Sequence, residues 1–100
     1  MTRKTILLNL QELCHCTQLS TQSVIEIVEQ GIVEPRGDSP ESWSFDTHMV
    51  VVTKKAQRLH TDLDIDWSGI ALALHLIEEV ERLREDNMRL KRQLGKFVQG

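Results

Sequence analysis

Residues 66–98 read DWSGIALALHLIEEVERLREDNMRLKRQLGKFV, and this stretch decides the fold. It holds no proline and little β-branched content, so nothing inside it interrupts a helix. Asp66 is a residue type that caps a helix start, and Trp67 then falls in the first turn. Ala73, Val80, Asn87 and Leu94 are seven residues apart, and Leu76, Leu83, Leu90 and Phe97 repeat that spacing three residues later. These are the a and d positions of four heptads, the pattern of a helix that pairs with another helix. In a parallel pair Glu79 would face Arg84 of the second copy, and Asp86 would face Lys91. Asn87 inside the apolar line is the residue type that fixes register at some cost in stability. An exposed charge pair is worth about 0.5 kcal/mol, so the apolar line must dominate the association. The expectation is a homodimer; packing of this helix onto its own preceding residues is the alternative. Strand orientation stays open, since an antiparallel pair could use much of the same line.

Working outward toward the N-terminus, Asn9 and Glu12 have the spacing of a capping box. Leu10, Leu13 and Cys14 follow at helical period. Ser20 is the next cap, Val24, Ile27 and Val28 form a second apolar stripe, and Gly31 stands where a glycine ends a helix. Two short helices with a tight turn make a helix-turn-helix. Pro35 and the Gly37-Asp38-Ser39-Pro40 cluster form a turn, and Trp43-Ser44-Phe45 alternates as a half-buried strand does. Extended pieces on both sides of that turn predict a small β-hairpin wing. Asp46 caps a third helix carrying Val51, Val52, Ala56 and Leu59, and 62–66 is the connector to the long helix. The expected fold is therefore mainly α. A winged helix-turn-helix head spans 1–65, and a long C-terminal coiled-coil helix for dimerisation spans 66–100, in one compact unit.

A chain of 100 residues, 40% hydrophobic and 27% charged, matches one soluble folded domain with a small core. It has no run of 18 apolar residues, which argues against a membrane span. Met1-Thr2-Arg3-Lys4 leads into only three consecutive apolar residues, Ile6 to Leu8, too few for a secretion signal. Cys14 and Cys16 are the only cysteines, and on a helix they point to nearly opposite faces, so no disulfide joins them. The expected location is the cytoplasm.

The net charge of -3 is unevenly spread. Residues 1–53 hold three cations against seven anions, while 82–96 hold six cations against two anions. A DNA reader needs its cations on the reading element. Here the second helix would present Thr21, Gln22, Ser23, Glu26, Glu29 and Gln30, and no Arg or Lys occurs between Lys4 and Arg36. Gln22 could read an adenine for about 1–3 kcal/mol, which does not replace missing phosphate contacts. Lys54, Lys55 and Arg58 are too few to do so. Direct nucleic-acid binding is disfavoured on these grounds.

Cys14-His15-Cys16 has poor metal-ligand spacing, because one helix face cannot present all three. His48, His60 and His75 stand without a partner motif. No phosphate loop, nucleophile elbow or HExxH pattern occurs. The expectation is a non-enzymatic protein with no cofactor and no metal.

Three blocks carry a family resemblance: Gly31-Ile32-Val33-Glu34-Pro35-Arg36, Trp43-Ser44-Phe45-Asp46, and Asp66-Trp67-Ser68-Gly69-Ile70-Ala71 with the leucine-rich helix after it. With these anchors the chain resembles, over essentially its whole length, the bacterial chaperone modulators of the CbpM family. That family is itself similar to the head and dimer helix of MerR-type regulators. The resemblance implies binding to the J-domain of CbpA, a DnaJ-like co-chaperone, and inhibition of its co-chaperone and DNA-binding activities. The implied route is to cover the J-domain surface that engages the Hsp70 chaperone DnaK. It also implies a cytoplasmic location, with the nucleoid reached through the partner. The alternative it raises is a MerR-like DNA-binding transcriptional regulator. Against that alternative, the second helix lacks the Arg-Tyr-Tyr type motif, and no sensing cysteine follows the long helix. J-domains carry a basic helix, so acidic residues are the partner-binding candidates: Asp62, Asp64, Asp66, Glu78 and Glu79, with Trp67 as an apolar anchor. Each also has a plainer role open to it. Asp66 caps, Glu79 flanks the seam, Asp62 and Asp64 are solvated, and Trp67 packs the helix onto the head.

Overall fold

The computed structural model describes residues 6–98, with side chains through residue 96. The reading of Met1–Lys4 and the side chain of Phe97 lie outside the described residues. Four helices follow in order: α1 (Leu10–Thr17), α2 (Thr21–Glu29), α3 (Thr47–Leu63) and α4 (Trp67–Val98).

Local chemistry sets their bounds. Asn9 and Glu12 close the capping box, with bonds of 2.9 and 2.8 Å between each side chain and the other's backbone N–H. The Ser20 hydroxyl accepts from the Ser23 amide, and the Asp46 carboxylate accepts from the Met49 amide. At the end of α2, Gly31 takes φ +74°. Its N–H donates to the Val28 carbonyl and the Ile32 N–H donates to that of Ile27, the paired bonds of a Schellman stop.

The core lies where α1, α2 and α3 meet the first turns of α4. Leu13, Val24, Ile27, Phe45, Ala56 and Ile70 are buried together. The apolar pattern of α3 is partly misleading. Val51 is 59% exposed, whereas Thr53 is buried. Thr53 tolerates burial because its hydroxyl donates to the Met49 carbonyl at 2.8 Å.

The expected hairpin wing does not form. Among the described residues no strand occurs, only two isolated antiparallel bridges, Arg36 with Ser44 and Leu8 with Phe45. Pro40–Ser42 makes a 3-10 turn that takes up the chain between Arg36 and Ser44. Gly37, at φ +113°, lets it fold close: a Cβ there would stand 2.4 Å from the Ser42 carbonyl oxygen. The Leu8 bridge instead ties the residues before α1 to Phe45, with both bonds at 2.8 Å.

The connector is shorter than 62–66. Helix α3 continues through Asp62 and Leu63, and Asp64 stops it in the left-handed conformation at φ 52°. The whole chain is elongated. Its radius of gyration is 18.2 Å, against about 13 Å for a compact domain of this length. The 32 residues of α4 account for this, since only its first turns touch the head.

Candidate protein-binding surfaces

Helix α4 has two apolar faces with different fates. Trp67 and Ile70 are buried against the head, and Leu74 packs against the same core. Leu72, Leu76 and Val80 each lie two residues from a position on that side. Two residues turn a helix by about 200°, so the second set faces away from the head. Leu76, Val80, Leu83, Leu90 and Leu94 are between 47% and 62% exposed, and Asn87 is exposed in line with them. Ala73 is half-buried. The single chain's own head therefore leaves the heptad line uncovered. Leu72, 60% exposed, extends that line toward the head, although it stands outside the heptad positions.

The charges beside this stripe are paired along the helix. Arg82 donates to Glu79 at 2.7 Å and lies 3.8 Å from Asp86, which is 3.5 Å from Arg89. The Arg82 hydrogen bond holds the Glu79 carboxyl below its usual range. These groups are solvent-exposed, so each pair contributes little.

Behind α4, on the head side, runs a groove of about 490 Å³. The end of α2 and the outer side of α3 form one wall, and α4 forms the other. Ile32, Val52 and Leu74 line it, Val51 stands at its rim, and Glu78 and Glu81 project from α4. Lys55 is the only Lys or Arg among the residues that line it.

The acidic candidates do not converge. Glu78 lines this groove, while Glu79, one residue on, flanks the opposite stripe beside Arg82. Asp62 lines a separate cleft between α1 and α3, beside Lys54 and Arg58. Asp64 closes α3. Asp66 is a cap: its carboxylate accepts from the Gly69 amide at 2.9 Å and from the Ser68 hydroxyl at 2.8 Å. The Gly69 amide, first, and the Ser68 hydroxyl hold its pKa below the ordinary value.

Trp67 is no surface anchor. It is 6% exposed, with its ring stacked on His60 at 4.1 Å between centroids and 17° between planes. His60 Nδ1 lies 2.6 Å from the Ile65 carbonyl oxygen, which pins the imidazole against the start of α4. The stacked rings tie the last turn of α3 to the first turn of α4.

The groove carries no linear signal, because its walls come from three separated segments. Only the unmatched acids at 78 and 81, on the same helix face as Leu74, hint at it.

On α2, Thr21, Gln22, Glu29 and Gln30 face solvent, and Gln22 is spent on Glu26 at 3.4 Å. Among the described residues no group of His, Cys, Asp and Glu could hold a metal ion. None of the described helices is long and apolar enough to cross a membrane.

Comparison with known proteins agrees over most of the chain. A family model described as MerR HTH family regulatory protein matches residues 8–92. A chaperone modulatory protein CbpM of Pseudomonas putida KT2440 is 49% identical over 92 residues, covering 92% of this chain and 91% of the relative. One from Pseudomonas entomophila is 50% identical over the same shares. One from Citrobacter koseri is 39% identical over 98 residues, covering 98% and 97%.

Proposed function

The chain belongs to the CbpM family of chaperone modulatory proteins, within the MerR-type helix-turn-helix regulators, and on that premise we propose that it is a non-enzymatic modulator of a co-chaperone. Its partner in this reading is the J-domain of a DnaJ-like co-chaperone of the CbpA type. By occupying the J-domain surface that engages Hsp70, it inhibits co-chaperone activity, and with it the partner's DNA binding. The protein acts in the cytoplasm, reaching the nucleoid only through that partner.

The single observation that carries the reading is the charge of the reading helix. Helix α2 exposes Glu29 and no cation, so it repels a phosphate backbone while suiting a basic protein surface. The MerR-type match keeps a transcriptional regulator in view as the second reading. A gel shift at low salt separates the two: tight, salt-sensitive duplex binding would favour the regulator.

The long helix supplies the assembly. Leu76, Val80, Leu83, Leu90 and Leu94 stand open along the face turned away from the head, and a second copy presents the same stripe. We assign the homodimer to this seam, with Ala73 and Asn87 inside it. Residues 66–100 then act as the dimerisation helix and 1–65 as the head. Glu78, Asp62 and Asp64 remain acidic candidates for the J-domain contact; Glu79 belongs with the seam, and Asp66 and Trp67 hold α4 in place.

Calorimetric titration of a purified CbpA-type J-domain into the full chain tests the partner. Saturable binding that weakens with salt is the expected result. No heat and no binding at micromolar concentration would overturn it.

A further inference from the structure

We propose that the groove between the head and α4 is the docking site, and that its occupant is a basic amphipathic helix of the partner protein. This rests on the reading above that the partner is a J-domain.

Shape comes first. Ile32, Val52 and Leu74 line the groove, and Val51 stands exposed at its rim. A groove with an apolar patch between polar and charged residues suits an amphipathic helix that sets its apolar face on the patch.

Charge selects the helix. Glu78, Glu81 and Glu85 follow each other at three- and four-residue spacing on the head side of α4. Among the described residues none of the three forms an ion pair, while Glu79 and Asp86 on the other side are matched by Arg82 and Arg89. On α4, two of these three unpaired acids, Glu78 and Glu81, line the groove. Lys55 is the one Lys or Arg in the lining, with the imidazoles of His48 and His75 beside it. A basic partner helix would satisfy this wall, whereas nucleic acid would be repelled by it.

The arrangement also leaves the seam free. The groove and the open leucine stripe occupy opposite faces of α4, so a dimer can carry a partner on each copy without competition. Asp62 lies in a different cleft, whose lining holds two cations, Lys54 and Arg58.

The titration with a CbpA-type J-domain, repeated with variants of the full chain, tests this. The doubly reversed E78K/E81K is expected to bind at least tenfold more weakly. K55E, which removes the opposing cation, is expected to bind severalfold more tightly. D62K/D64K is expected to stay within twofold of the parent. All three substitute exposed positions, and circular dichroism is expected to show unchanged helicity. If E78K/E81K binds normally while D62K/D64K fails, the dock is the end of α3; the groove is then wrong and the J-domain reading survives. If E78K/E81K loses dimer mass instead, a second copy occupies the groove and the proposal falls. If the parent protein itself shows no binding, the underlying reading fails, and the groove assignment falls with it.

Discussion

Leu83→Asp is expected to dissociate the dimer proposed for α4 without unfolding the chain, and the structure sets the size of the effect. Leu83 keeps 57% of its surface in water in the single chain. Burying a whole leucine is worth about 1.5–3 kcal/mol, so covering the remainder at the seam contributes roughly 1–1.5 kcal/mol per copy. A symmetric pair loses that twice, about 2–3 kcal/mol. Two carboxylates would also be pressed into an apolar interface, at a further cost of at least about 2 kcal/mol. A combined loss of roughly 4–5 kcal/mol is about a thousandfold or more in the dissociation constant. A dimer with a dissociation constant of about a nanomolar would then have one of about a micromolar or weaker, and would dissociate at concentrations near and below that. The head should not notice, because residue 83 touches none of its core. Analytical ultracentrifugation reads the mass, and far-ultraviolet circular dichroism reads the helicity. An unchanged dimer mass at micromolar concentration would refute the seam; a collapse of helicity in the head would show that Leu83 is core after all.

Other substitutions report on how α4 is mounted. Trp67→Ala empties a buried site and should destabilise the fold by about 3–5 kcal/mol in urea denaturation. A loss under about 1 kcal/mol would place Trp67 outside the core. Asp66 gives a pH signature. Its carboxyl is held below the ordinary value of 3.8 in the folded chain, so its stabilising effect is present above that value. The effect is lost as pH falls through the lowered pKa, and helicity at the start of α4 should decline below about pH 4. Asp66→Asn should lack this step when thermal stability is followed against pH; an identical acid profile would contradict the capping role.

Helix ends were legible because caps are local. Asn9 with Glu12, Ser20, Asp46 and Asp66 announce four helix starts, each through an oxygen three residues before the amide it accepts from. The open leucine stripe was legible for a similar reason, since a heptad repeat needs no knowledge of the rest of the chain. What stayed hidden depends on contacts distant in sequence. Trp67 is buried by His60 across the connector, and no pattern within α4 distinguishes that from an exposed ring. Val51 is exposed and Thr53 is buried, and the apolar spacing of α3 does not mark which of its faces meets the head. The wing failed for a local reason of another kind. Alternation at Trp43-Ser44-Phe45 reads as a strand, but the 3-10 turn at Pro40–Ser42 leaves only one pair of residues, Arg36 and Ser44, to zip. The groove was invisible as a unit, since α2, α3 and α4 each supply only part of it.

The central claim is that this chain restrains a J-domain co-chaperone, and the most direct measurement is the steady-state ATPase rate of Hsp70. The rate is followed with a CbpA-type co-chaperone present while the full chain is titrated in. The account predicts that stimulation falls toward the basal Hsp70 rate as the J-domain saturates, and that E78K/E81K shifts the titration to higher concentration. Stimulation that persists undiminished at saturating protein would contradict it.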